Sequence, residues 1–143
     1  MKKVFLCLIA LAFLSCSTDD ENSLILNESN LSFNLNGVDY SLTDYNVTLN
    51  PANTEIRIIE ASFDNNMKTL LFSVLVEETN QIDDFVFIEN HINHISDPIY
   101  GNRETSIEVH TDSKMEGTFR ATMEDNTGQP IFTFTDGVIN IEY

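Results

Sequence analysis

His91, His94 and Asp97 stand at intervals of three and, with His110 as a further donor, form the chain's best candidate set of ligands for a divalent metal. Zinc would need three or four such ligands converging at about 2.0–2.2 Å. Spacing of three places His91 and His94 on opposite faces of a strand but on one side of a helical turn. The intervening Ile92 and the following Ile95 fit a turn or short helix there. No wider zinc signature surrounds them, so the competing reading is a polar loop and no metal is assigned. Harder oxygen donors occur at Asp19-Asp20, Asp83-Asp84 and Glu124-Asp125. They could hold calcium weakly, although no twelve-residue calcium loop is present.

Hydrolytic chemistry finds less support. Glu60, Asp64, Glu77 and Glu108 could pair in space, as a glycosidase requires with carboxyls about 5–9 Å apart. Among 23 acidic residues, however, some pairs approach by chance. The chain lacks a Gly-x-Ser-x-Gly elbow and a Gly-rich phosphate loop, so no catalytic residue and no cofactor is assigned. Binding is the better class. A sugar platform would have to use tyrosine, since tryptophan is absent. Tyr40, Tyr45 and Tyr100 could serve, with Tyr100, beside Pro98 and Gly101, the candidate ligand contact, although hairpin packing is the stronger competing reading.

Cys16 carries a different chemistry. Lys2 and Lys3 precede an apolar run from Val4 to Leu14, and Ser15 stands directly before the cysteine. The run is too short to span a bilayer as a mature helix and has the layout of a secretory signal. With cysteine at the cut, residues 1–16 resemble a bacterial lipoprotein signal, although Phe13 departs from the leucine most often found three residues before the cysteine. The resemblance implies a signal peptide over residues 1–15 that is removed, and Cys16 as the lipidated, acylated new N-terminus. Ser17-Thr18-Asp19-Asp20-Glu21 follows at once and looks like the acidic surface-export signal of lipoproteins of the Bacteroidota. The expected location is therefore the outer membrane, lipid-anchored and exposed at the cell surface. Residues 16–30 read as an acidic and polar tether, within which Leu24-Ile25-Leu26 could dock as a short edge strand.

Charge limits the partners. The full chain carries a formal charge of −16. Cleavage before Cys16 removes Lys2 and Lys3 and no acidic residue, leaving five basic against 23 acidic residues, or −18. Nucleic acid and anionic lipid would be repelled. Acyl chains can still hold the protein to a membrane, because they insert through apolar burial. Cys7 would leave with the signal and Cys16 would become a thioether, so the remaining domain must be stable without a disulfide.

The elements that must position any site follow a period of two from Leu31 onward. Leu31, Phe33 and Leu35 alternate with polar residues up to Asn36-Gly37, and Val38, Tyr40 and Leu42 resume the pattern. This predicts a strand, a turn and a further strand. Ile56 and Ile58 are out of step with Ile59, Ala61 and Phe63, which predicts a bulge or twist at Ile58-Ile59. Lys68–Glu78 has apolar residues on both faces, so it reads as a central strand covered on both sides. Glu89–Arg103, with Pro98 and Gly101, is expected to be the least regular segment. Met115, Gly117, Phe119, Ala121 and Met123 alternate with Glu116, Thr118, Arg120, Thr122 and Glu124, so the first set should face inward. A hairpin at Asp125–Gly128 and a parity shift at Asp136-Gly137 then lead to Ile139 and Ile141. Seven to nine short strands without an amphipathic helix predict a single all-β domain over residues 31–143. It would be an antiparallel β-sandwich or a partly open β-barrel.

Met115-Glu116-Gly117-Thr118-Phe119, the final run Ile131 to Ile141 with its Thr135-Asp136-Gly137-Val138 turn, and the start Phe33–Gly37 resemble small uncharacterised lipoproteins of the Bacteroidota. The resemblance implies an all-β domain and an envelope location, and it carries no activity. The expectation is thus a non-catalytic surface module that binds a protein, peptide or glycan. The alternatives are an envelope-associated hydrolase using carboxylates or a metal, and a purely structural envelope component.

Overall fold

The computed structural model describes residues 29–76, 79, 81–96 and 101–143. Ten strands follow in order: β1 (Asn30–Leu35), β2 (Val38–Leu42), β3 (Asn46–Asn50), β4 (Asn53–Phe63), β5 (Lys68–Leu75), β6 (Asp84–Glu89), β7 (Ile92–Ile95), β8 (Gly101–His110), β9 (Lys114–Glu124) and β10 (Pro130–Glu142). They make two five-stranded antiparallel sheets, ordered β2-β1-β10-β9-β8 and β3-β4-β5-β6-β7. The arrangement is a β-sandwich, not a closed barrel. The expected signal peptide, the tether through Glu28, Leu24-Ile25-Leu26 and Asp19-Asp20 lie outside the described residues.

Local chemistry sets the hairpins. Asn36 and Gly37 have φ of 51° and 88°, the left-handed pair that a two-residue turn between twisted strands requires. Asn90 and His91 repeat this geometry between β6 and β7, with φ of 51° and 67°. A strand hairpin therefore occupies the place where a turn or short helix was expected around His94. Ile92 and Ile95 are β-branched, and pairing with Glu89 and Val86 satisfies their backbone, which a lone helical turn would not do. Together with the start of β8 at Gly101, this makes the described parts of Glu89–Arg103 more regular than their composition suggests and raises the strand count to ten among the described residues.

The core lies between the sheets and is rich in phenylalanine. Phe119 of β9 is 2% exposed, with its ring centroid 5.2 Å from Phe85, 6.2 Å from Phe33 and 6.5 Å from Phe72. Met115, Gly117, Phe119, Ala121 and Met123 are all buried, as their alternation predicts. At Asp136-Gly137 the β9–β10 register shifts between Phe134 and Gly137, so the predicted parity change is a bulge, with Asp136 at φ 53°. Gly117 marks a close approach as well. A Cβ there would lie 2.4 Å from the Ser106 carbonyl oxygen, so the crowding comes from the neighbouring strand β8 of the same sheet.

Two expectations for the other sheet are corrected. The β4–β5 register runs unbroken from Ile56↔Leu75 to Phe63↔Lys68, so there is no bulge at Ile58-Ile59. Instead Arg57 joins Ile59, Ala61 and Phe63 on the inner face, and Ile56 and Ile58 turn outward. Strand β5 is central in its sheet, but the described residues form only two layers, and Leu71 and Leu75 lie half-buried on its outer face.

Side chains close the seam between the sheets. Fully buried Ser96 shares its hydroxyl proton between the carbonyl oxygens of Asn102 at 2.9 Å and Thr122 at 3.2 Å. Arg103 donates to the carbonyls of Asp83 at 2.8 Å and Ser96 at 3.3 Å, while the Ile82 N–H donates to Thr105 Oγ1 at 3.0 Å. These bonds satisfy backbone groups where the chain crosses from one sheet to the other.

Candidate functional site

The histidine set does not converge. His91 sits exposed in the β6–β7 turn, and His94 turns inward, with its ring 4.7 Å from Phe132 in an edge-on contact. The hairpin separates them, with His91 in its turn and His94 on β7. His110 is buried at the far end of β8 in the other sheet. Asp97 and Tyr100 lie outside the described residues, and among the described residues no group of three His, Cys, Asp or Glu is placed to hold a metal ion.

Three of the paired carboxylates have local structural work. Asp83 Oδ2 accepts the Leu75 N–H at 2.9 Å, and Asp84 Oδ2 accepts the Ser73 hydroxyl at 3.1 Å, which ties down the β5–β6 connection. Asp125 Oδ1 accepts the Thr127 hydroxyl at 2.6 Å and the N–H groups of Thr127 and Gln129 at 2.8 and 3.0 Å. These bonds, led by the Thr127 hydroxyl, hold the carboxyl below the usual aspartate range. A lowered folded-state pKa contributes stability above the unfolded value of 3.8 and loses it as pH falls through the folded value. Asp125→Asn is therefore expected to flatten the acid limb of the stability profile below about pH 4. Carboxyl NMR should show wild-type Asp125 titrating below the usual aspartate range; an ordinary midpoint would contradict this role.

The other acidic and aromatic candidates disperse. Glu60 is exposed on β4 and Glu108 on β8, in different sheets, and Glu77 lies outside the described residues. Asp64 pairs with Lys68 at 2.7 Å and accepts the Tyr40 hydroxyl at 3.2 Å. Tyr40 packs 4.8 Å from Phe63, while the Tyr45 hydroxyl bonds Ser29 and the Glu142 backbone. Both tyrosines are half-buried structural groups.

What the sheet does assemble is a groove of about 540 Å³ across β8, β9 and β10. Register shifts between Ile107 and Val109 on β8 and between Phe134 and Gly137 on β10 flank the straight strand β9. Bulges bend a strand and re-aim its side chains, so a pleated surface becomes concave there. Glu104, Arg120 and Asp136 supply charge, Thr105, Ser106 and Thr118 supply hydroxyls, and Val138 supplies a 42% exposed apolar surface. Glu104 is the cross-strand partner of Arg120, yet neither it nor Asp136 forms an ion pair with Arg120 within 4 Å. The guanidinium is thus available as a donor fork between two acceptors.

Comparison with family models, curated proteins and solved structures finds no match. The groove must therefore be read from its own chemistry. Its residues alternate polar-out along β9, which sequence reasoning assigned to solvent. The signal that could have found it is the parity shift at Asp136-Gly137, read there only as a change of face, which bends the strand beside Arg120.

Proposed function

We propose that this chain is a surface-displayed lipoprotein, anchored through Cys16 in the outer membrane, whose β-sandwich is a non-catalytic binding module. Its ligand is a polar chain, glycan or peptide, taken into the groove across β8–β10. The observation that carries this reading is the cluster of Arg120, Glu104, Asp136 and hydroxyl side chains beside exposed Val138 in one concavity. Donors and acceptors of both signs next to a small apolar wall suit a neutral, hydrogen-bonding ligand better than a strongly charged one. The acidic surface as a whole disfavours polyanions.

The test uses the full chain in intact cells. Fatty-acid labelling should follow wild type and be lost in Cys16→Ser; label retained by that variant would refute the anchor. Peptides and glycans recovered with wild type should fall at least about tenfold with Arg120→Ala, the loss expected for a charge-assisted hydrogen bond in a binding site. Equal recovery would remove the groove from the function. Metal-dependent turnover abolished by His91→Ala would replace the binding module with the hydrolase.

A further inference from the structure

Arg57 is turned into the sandwich from the inner face of β4, opposite Leu49 of β3 and Val74 of β5. It is only 7% exposed. Its guanidinium carbon lies 4.3 Å from the centroid of the Tyr143 ring, so the side chain spans from one sheet to the other at the end of the core. Tyr143 is fixed there by its hydroxyl, which donates to the Thr111 carbonyl at 2.9 Å.

Among the described residues Arg57 has no ion-pair partner, and the Asp112 charge that acts on Tyr143 makes no ion pair with it. No carboxylate among the described residues comes within 4 Å of it, although the chain has 23 acidic residues. Its Nε is enclosed and has no hydrogen-bond partner. Burying a cation removes its hydration, and an aromatic face replaces only part of that loss. Tyr143 cannot supply a counter-charge, because its burial favours the neutral phenol. Nε is sealed, and neither Nη group is paired with a carboxylate among the described residues, so the two Nη groups remain to take a ligand. Leu49, 48% exposed on the neighbouring strand, lies at the same open margin of the sheet.

We infer that this end of the sandwich is an anion-binding site, separate from the β8–β10 groove, in which the two Nη groups of Arg57 take a small oxyanion of the carboxylate or phosphate class. The planar fork matches two oxygens of such a group, and Tyr143 holds the fork in one plane. The surrounding acidity makes this a selective device. Nonspecific anion attraction is suppressed over the surface, so only an ion able to reach the fork is retained. The groove could fail as a ligand site without affecting this one, since the two share no residue.

Thermal denaturation of the purified full chain in phosphate or acetate, each against chloride at matched ionic strength, tests the site. Wild type should show a saturable rise in midpoint with either oxyanion, and Arg57→Met should show none. Arg120→Met should keep the full rise, which separates the two sites. A response to phosphate alone would narrow the ligand to phosphate, and a response to acetate alone would narrow it to carboxylates. Should Arg57→Met not fold, the ¹⁵Nε–H resonance of Arg57, assigned by its loss in Arg57→Lys, should shift saturably during phosphate or acetate titration of wild type. A wild-type midpoint that ignores both oxyanions, a resonance that does not move, or an equal midpoint rise in Arg57→Met would overturn the inference.

Discussion

Replacing Phe119 with alanine is expected to destabilise the domain by about 3–5 kcal/mol, the cost of emptying a large aromatic site that cannot collapse. The ring is 2% exposed and touches phenylalanines from both sheets, so its removal opens a void between layers instead of at an edge. Relaxation is limited because the partners are themselves held by further rings, such as Phe85 against Phe134 at 5.3 Å. Urea denaturation should show a lower midpoint with little change in slope, the signature of lost stability in an otherwise similar fold. Thr118→Ala and Arg120→Ala, one residue to either side on the solvent face, should each stay within about 0.5 kcal/mol of wild type. An unchanged midpoint for Phe119→Ala would mean that the inner face of β9 is wrongly assigned.

Gly101→Ala should be comparably severe for a different reason. At φ 152°, Gly101 has a backbone conformation that L side chains rarely adopt. A Cβ there would sit 1.8 Å from the Thr122 carbonyl oxygen, which cannot rotate away as a side chain could. Strain at such a φ costs about 1–3 kcal/mol, and overpacking adds a further penalty of about 1–3 kcal/mol. The same carbonyl accepts the Ser96 hydroxyl, so its displacement would also loosen the seam between the sheets. Gly37→Ala is the control: φ is 88°, but nothing lies within 4 Å of the added carbon. It should lose only the conformational part. Equal midpoints for the two variants would show that the close approach of β8 to β9 is not as described.

Local rules were enough wherever one residue's neighbours in sequence decide its environment. Strict alternation from Met115 to Glu124 identified the buried face of β9, because a strand with one wet face must alternate. Asn36-Gly37 specified its hairpin because those residue types tolerate left-handed backbone, and Asp136-Gly137 showed where the parity of β10 must shift. The β4 pattern misled because Arg57 occupies an inward position. Counting back from Phe63 by twos reaches it, but an arginine at that position reads as solvent-facing. His91 and His94 likewise looked like neighbours on a turn until pairing with β6 put His94 on a strand and left His91 in the hairpin turn.

The amino-acid sequence by itself determined an all-β, acidic domain, the inward set on β1, β9 and β10, and the two left-handed turn residues at Asn36 and Gly37. These follow from side-chain period and backbone sterics, which act over a few residues. Only the tertiary structure decided that the sheets form a sandwich and not a closed barrel, because which edges pair depends on contacts between distant strands. It alone decided that Arg120, Glu104 and Asp136 share a concavity, since three strands and two bulges must come together to bend that surface. It alone placed Arg57 against Tyr143, 86 positions later in the chain, because the two meet only when one sheet packs on the other.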